Sequence, residues 1–154
     1  MLTIHTFCFN AFQENTFVLF NSEKEAIIVD PGCYLKHEQA QLANFISENN
    51  LTPKLLLNTH CHLDHVFGNN FVSETYGLTA LFHQKEQAVI DRLPEGGARW
   101  GVPTEAYKGK VQYIQQDELI QFGKDVFKVL ETPGHSPGSV CFYHEAQDFL
   151  IGGD

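Results

Sequence analysis

The sequence predicts a single-domain α/β protein. Three observations indicate this class. Short apolar stretches bounded by Gly, Pro or Asn recur along the chain, as in a sheet-rich protein. Segments with helical spacing of apolar residues separate them in the first half, while the second half is a run of short strands. The 154 residues are 43% hydrophobic, which is enough for one core, and no linker divides the range 1–154.

Composition argues against several classes of partner. The formal net charge is −9, whereas a nucleic-acid-binding protein needs a basic stripe. No stretch approaches the roughly 18 apolar residues of a membrane span, and we see no signal peptide. The cysteines lack Cys-x-x-Cys spacing, so we interpret them as reduced thiols of a cytoplasmic protein.

The first three strands are expected at 2–9, 13–20 and 26–30. The third is apolar almost throughout, as in a strand buried on both faces, and it ends at Asp30-Pro31-Gly32. Asp30 has two interpretations. It caps a turn, or its carboxylate orients a metal-bound histidine.

Helices and strands alternate from residue 36 onward. Leu35, Leu42, Phe45 and Ile46 share one face of the first predicted helix. The predicted helices lie at 36–48, 66–76 and 84–93, and the predicted strands at 54–58, 78–82, 111–115, 119–122, 126–131, 140–143 and 149–151.

Residues 94–110 interrupt this pattern with two Pro and four Gly, and we expect a loop there. Four of its side chains could contact a substrate: Arg99, Trp100, Tyr107 and Lys108. The alternative is that Trp100 only attaches the loop to the core.

Potential metal ligands are densest in residues 60–65, where His60, His62, Asp64 and His65 directly follow a strongly apolar strand. Residues two apart in an extended segment face the same side, so His60 and His62 can bind one ion together. Asp64 and His65 can reach a second ion if the chain turns. The alternative, a polar loop of solvated histidines, explains this density poorly.

Two later stretches complete the constellation. His135 lies in a Pro- and Gly-rich loop, residues 132–139, and is a candidate third ligand for the ion held by His60 and His62. The alternative is a turn with an incidental histidine. Asp154 follows an apolar strand and Gly152-Gly153, which can place its carboxylate near a metal.

These three motifs, in this order, resemble the metallo-β-lactamase superfamily, and most of all its glyoxalase II-like hydrolases. The resemblance covers nearly the whole chain. It implies an αβ/βα sandwich with the site at one edge of the two sheets. It further implies that His60, His62 and His135 hold metal 1, that Asp64 and His65 hold metal 2, and that Asp154 bridges the ions.

The resemblance implies a metal-dependent hydrolase of thioesters such as a hydroxyacylglutathione, acting through a metal-bridging hydroxide. The expected cofactors are two divalent ions, mostly zinc, with iron or manganese as alternatives. Asp64 is the candidate catalytic residue, which steers the nucleophile and takes its proton. No Gly-x-Ser-x-Gly elbow is present, which argues against a serine nucleophile.

Three alternatives stay open. One is an oxidoreductase resembling the mononuclear-iron persulfide dioxygenases. The second is a metal-binding remnant without turnover, and the third is a lactonase or phosphodiesterase. A class B β-lactamase fits the Asp-His pattern at 64–65 less well.

The sequence departs from the family pattern after Asp154, where relatives continue and supply a further histidine to metal 2. We therefore expect an incomplete second half of the sandwich, as in a fragment or a truncated relative. Such a chain leaves a sheet edge open, which predicts poor folding alone or pairing into a homo-oligomer. Of the other histidines, we expect His37 and His144 at the surface and His83 in a structural role. We do not count Cys61 as a ligand.

Overall fold

Two β-sheets form the frame of the molecule, which a computed structural model describes over all 154 residues. The strands are β1 (Thr3–Phe9), β2 (Glu14–Phe20), β3 (Glu25–Val29), β4 (Thr52–Leu57), β5 (Ala80–His83), β6 (Val111–Ile114), β7 (Leu119–Phe122), β8 (Asp125–Glu131), β9 (Val140–His144) and β10 (Phe149–Ile151). The helices are α1 (Lys36–Glu48), α2 (Leu63–Val66), α3 (Asn69–Tyr76), α4 (Gln87–Ile90) and α5 (Leu93–Trp100).

The first sheet has the strand order β1-β2-β3-β4-β5-β6. Its first three strands are antiparallel, and β3 through β6 are parallel because helices connect them. The second sheet, β10-β9-β8-β7, is an antiparallel meander. The predicted strands are therefore present, and β7 and β10 have the predicted bounds.

Strand β3 shows how the layers pack. Ala26 and Ile28 belong to the apolar core beneath the helices, whereas Ile27 and Val29 belong to the core between the two sheets. Both faces of this strand are buried, as its apolar sequence predicted. The layers are thus helices, first sheet and second sheet, which is the predicted sandwich with its second half incomplete.

Three predicted elements were wrong in their type or bounds. The helix expected at 66–76 is divided into α2 and α3 around Gly68, whose N–H donates to Pro31 O at 2.7 Å. A Cβ there would collide with Cys33 Sγ, so this close approach needs glycine.

The loop expected at 94–110 begins as helix α5. Pro94 lies in its first turn, where a missing N–H does no harm, and Gly101 ends it with φ +70°. The segment expected to be helical at 84–93 is a 3₁₀ turn followed by the short α4. No helix of the structure has the length and apolar character that crossing a membrane requires.

One edge of the two sheets collects the polar motifs. Strands β3 and β4 are parallel neighbours with Val29 paired to Leu57, so the residues that follow each strand emerge side by side. At the same edge, Val140 N of the second sheet donates to Thr59 O at 2.8 Å. This contact brings the 132–139 loop against the 60–65 segment.

Candidate metal centre

All six side chains predicted as ligands converge at this edge. His60, His62 and His135 form one group that could hold a metal ion, and Asp64, His65 and Asp154 form another. A third group, Asp30, His60 and His65, shares one histidine with each of them. Within each group the ligand atoms lie within 4.8 Å of one another. These six side chains therefore lie close together, and their role as metal ligands stays a prediction.

The histidine group has an unmet polar atom. His60 is 1% exposed, its Nδ1 lies 3.2 Å from Thr59 Oγ1, and its Nε2 is buried with no hydrogen-bond partner. His62 Nδ1 and His135 Nε2 lie 2.9 Å apart. A buried polar atom without a partner is costly, and an ion among the three rings would supply one. This donor set fits a divalent metal ion.

Asp154 lies between the two groups. One carboxylate oxygen is 3.4 Å from His65 Nε2 and the other is 3.7 Å from His135 Nε2. Asp64 Oδ2 lies 3.6 Å from the same His65 Nε2. Each Asp154 oxygen therefore faces a different group.

Asp30 supports His65 from behind. It is 1% exposed, and its carboxylate accepts hydrogen bonds from Thr59 N, at 2.8 Å, and from Thr59 Oγ1. Its Oδ2 also lies 3.0 Å from His65 Nδ1, which leaves Nε2 of that ring directed at Asp64 and Asp154. Of the two interpretations of Asp30, the structure supports the one in which it orients a histidine.

The imidazoles differ in their electrostatics. Burial, together with the nearby His65, lowers the pKa of His60 to about 3. Burial and the neighbouring His135 also lower the pKa of His62. Burial opposes protonation of His65, but Asp30, Asp64 and Asp154 outweigh it and raise the pKa of that ring. Neutral imidazoles are the form that binds metal, so His60 and His62 are ready for it.

Glu86 joins the two ligand-bearing segments, and the sequence analysis missed it. It is 0% exposed and accepts hydrogen bonds from Cys61 N, Ser136 Oγ and Gly138 N, each at 2.7 Å. One donor lies between His60 and His62, and another is next to His135. The one signal in the sequence was that Glu86, an acidic residue, lies on the face of residues 84–93 whose other side chains are apolar.

Glu14 is a second buried carboxyl that the sequence did not reveal. It accepts from Thr16 Oγ1 at 2.9 Å, and its Oε1 lies 3.9 Å from His65 Nδ1 without a hydrogen-bond donor. Burial and the neighbouring Asp30 raise the pKa of Glu14 to about 10. Glu14 lies in an ordinary strand pattern, and nothing in that pattern indicated that its carboxyl group is buried beside the site.

The remaining histidines lie outside the constellation. His83 is buried and lies 3.0 Å from Glu131 Oε1, a structural contact as predicted. His37 is exposed. The prediction for His144 was wrong, because this ring is 1% exposed and bonds to Asp125 at 2.9 Å.

Cys61 and the four candidate side chains of residues 94–110 do not all lie together in the structure. Cys61 is buried in the core beneath the helices and is not part of either ligand group. Arg99 and Trp100 line a cavity beside His62, whereas Tyr107 and Lys108 do not. Trp100 is 64% exposed and makes an edge contact with Phe12.

The fold and these two groups of side chains define a class, the metal-dependent hydrolases. The family model of the metallo-beta-lactamase superfamily matches residues 9–154, and the chain belongs to this superfamily.

Among curated relatives, the hydroxyacylglutathione hydrolase GloC of Haemophilus influenzae is 32% identical over 94% of this chain and 67% of its own length. The mitochondrial persulfide dioxygenase ETHE1 of Bos taurus is 31% identical over 90% of this chain and 46% of its own length. The chain thus spans about two thirds of the first relative and less than half of the second.

Two solved structures share the fold. The BLEG-1 B3 metallo-beta-lactamase has a TM-score of 0.85 at 31% identity, covering 96% of this chain and 70% of its own. TTHA1623 in a di-iron-bound form has a TM-score of 0.81 at 26% identity, covering 95% and 69%.

Proposed function

We propose that this chain is a thioester hydrolase of the glyoxalase II type, acting on a substrate such as a hydroxyacylglutathione with two divalent ions. The observation that carries the proposal is the buried, unpartnered His60 Nε2 in a group of three imidazoles, directly beside a second group that contains two carboxylates. One group of candidate ligands would suit a single metal ion, whereas two adjoining groups suit a pair of ions.

We assign metal 1 to His60, His62 and His135 and metal 2 to Asp64 and His65, with Asp154 shared between the ions. The two oxygens of Asp154, each directed at a different group, support the shared role. Imidazole and carboxylate ligands suit zinc foremost, and also iron and manganese.

The bound ions would lower the pKa of a shared water and polarise a carbonyl oxygen. The protein's own residues do the rest. Asp64, whose side chain is 20% exposed, is assigned to accept the proton of the attacking water. That proton then reaches the departing thiolate sulfur, so the products are a carboxylic acid and a free thiol. Asp30 keeps His65 in the orientation this arrangement needs.

The thioester substrate is supported by the relatives that are named hydroxyacylglutathione hydrolases, from Haemophilus influenzae and from Pelagibacter ubique. The four free cysteines fit the reducing cytoplasm in which we expect the enzyme to act. Pairing through an exposed sheet edge stays a prediction.

The test is hydrolysis of a hydroxyacylglutathione thioester by the purified protein loaded with zinc, iron or manganese, followed by release of the free thiol. We expect turnover that a chelator abolishes and that His60→Ala lacks. A protein with two bound ions that hydrolyses no thioester would overturn the proposal. A β-lactam serves as the comparison substrate, which we expect to be hydrolysed far more slowly.

The persulfide dioxygenase is the second candidate, because ETHE1 of Bos taurus is nearly as similar to this chain as GloC is. Oxygen uptake with glutathione persulfide and one iron per chain would favour it. Bound metal with neither reaction would favour the non-catalytic metal-binding remnant.

A further inference from the structure

A cavity of about 440 Å³ opens directly beside His62. One side is the segment that carries the candidate ligands, and the other is formed by α4 and α5 with the 3₁₀ turn before them. Its lining includes His62, Lys85, Val89, Arg92, Leu93, Arg99 and Trp100.

The charge of this cavity is opposite to that of the protein. The chain has 19 acidic and 10 basic residues, yet the lining contains three cations and no carboxylate. Lys85, Arg92 and Arg99 are exposed, and none has a carboxylate oxygen within the 4.0 Å of an ion pair. Three unpaired cations around one cavity form a local positive field in an acidic protein.

Three consecutive elements bring these cations to one side. Lys85 lies in the 3₁₀ turn, Arg92 directly precedes α5, and Arg99 lies in the last turn of α5. Val89, Leu93 and Trp100 add apolar side chains to the same lining. The cavity therefore combines an apolar floor with a cationic rim.

We infer that this cavity binds the anionic thiol carrier of the substrate, with Arg92, Arg99 and Lys85 contacting carboxylate or phosphate groups. The inference rests on the proposed thioesterase function, because His62 at the cavity wall places the carrier next to the reacting carbonyl. Guanidinium groups suit both anions, since their N–H groups form paired hydrogen bonds with either.

The chain supplies its own probe of this cavity. Trp100 is its only tryptophan and lies in the lining, so tryptophan fluorescence reports on ligands bound there. We would titrate the metal-free protein with glutathione, which carries carboxylates, and separately with coenzyme A, which carries phosphates. Binding is thereby measured without turnover.

The test variant is Arg92→Glu/Arg99→Glu, and the matched control is Lys110→Glu/Lys124→Glu. Lys110 and Lys124 are exposed, lie outside this cavity, and their reversal changes the net charge by the same amount. We expect the arginine variant to weaken binding by roughly tenfold or more, and the control to stay close to wild type. The stronger of the two probes identifies the carrier as carboxylate- or phosphate-bearing.

Two results would overturn the inference: neither probe changes Trp100 emission up to millimolar concentration, or both double variants weaken binding equally. Failure of the proposed function is distinguishable. If the arginine variant alone loses binding while no thioester is hydrolysed, the anion site stands and the thioesterase assignment falls.

Discussion

The candidate metal centre has an inner and an outer half that are built differently. The inner half consists of Asp30, Thr59, His60 and His65, all at most 4% exposed and joined by hydrogen bonds. The outer half consists of His62, His135 and Asp154. The His135 and Asp154 side chains are 45% and 57% exposed and contact mainly other candidate ligands.

This difference indicates that one half contributes mainly to folding stability and the other mainly to metal binding. The inner half follows two adjacent parallel strands, so the fold fixes it before any ion binds. In the outer half, His62 lies in the segment after β4, whereas His135 and Asp154 follow strands of the second sheet. The segments of His62 and His135 depend on Glu86 and on the ions for their position. Substitutions in the inner half should therefore reduce folding stability, and those in the outer half should reduce metal binding.

The largest effect on stability is expected for Asp30→Ala. It leaves Thr59 N, Thr59 Oγ1 and His65 Nδ1 without their acceptor, and alanine is strained at the φ of +48°. We expect the free energy of unfolding to fall by roughly 3–5 kcal/mol, measured by urea denaturation of the metal-free protein.

Asp30→Asn is the matched control, because asparagine has the same shape and tolerates a positive φ. It keeps one acceptor oxygen for Thr59 N, so we expect a smaller loss of about 1–3 kcal/mol. An Asp30→Ala protein as stable as wild type would contradict the rigid inner half.

Glu86→Ala should come next, because it tests the connection between the halves. Three buried donors lose their acceptor, so we expect a loss of about 2–4 kcal/mol. Since the two ligand segments are then no longer joined, metal affinity should fall by roughly tenfold, measured by competition with a chelator.

Glu38→Ala provides the comparison. Glu38 is also buried and accepts three backbone hydrogen bonds, from Asn10, Tyr34 and Leu35, but it touches neither ligand segment. We expect a similar loss of stability with metal affinity unchanged. Equal losses of metal affinity in both variants would show that Glu86 acts only through general stability.

His135→Ala should barely change the stability of the metal-free protein. Its ring is exposed and lies against the rings of His60 and His62 and the Asp154 carboxylate, so we expect a change within about 0.5 kcal/mol. Metal bound by the histidine group should nevertheless be lost, as measured by elemental analysis. A large drop in the urea midpoint would show that the outer half is as integral to the fold as the inner half.

Thiol labelling tests burial without any substitution. Burial raises the pKa of Cys33 to about 12 from an ordinary value of 9.0, and burial also raises the pKa of Cys61 well above its ordinary value. The thiolate fraction of Cys33 near neutral pH is therefore about a thousandfold smaller than for an ordinary thiol. We expect alkylation of the exposed Cys8 first, with Cys33 and Cys61 protected until unfolding, as followed by mass spectrometry.

The sequence predicted the strands because apolar runs mark them locally, as in β3 and β4. The dense His-x-His-x-Asp-His spacing indicated the candidate ligands at 60–65, and their role as metal ligands stays a prediction. The support for these ligands was harder to foresee. Glu86 is 26 residues from His60 along the chain, and its value as an acceptor exists only once three distant donors converge on it.

Local composition also misled in two places. The glycines of residues 94–101 predicted a loop, but a Cβ at Gly97 would collide with Val102 O, so that glycine permits the close packing at the end of α5. His144 resembled a surface residue, yet it stacks on Phe149 and bonds to Asp125 from another strand. In both cases, contacts made in the folded structure determined the outcome, and local composition did not reveal them.

The most direct test of the two-group centre is the number of metal ions per chain, by elemental analysis of wild type and His135→Ala purified side by side. We predict close to two ions in the wild type and close to one in the variant, because the Asp64, His65 and Asp154 group stays intact. A wild-type protein without metal, or equal metal in both proteins, would contradict this account.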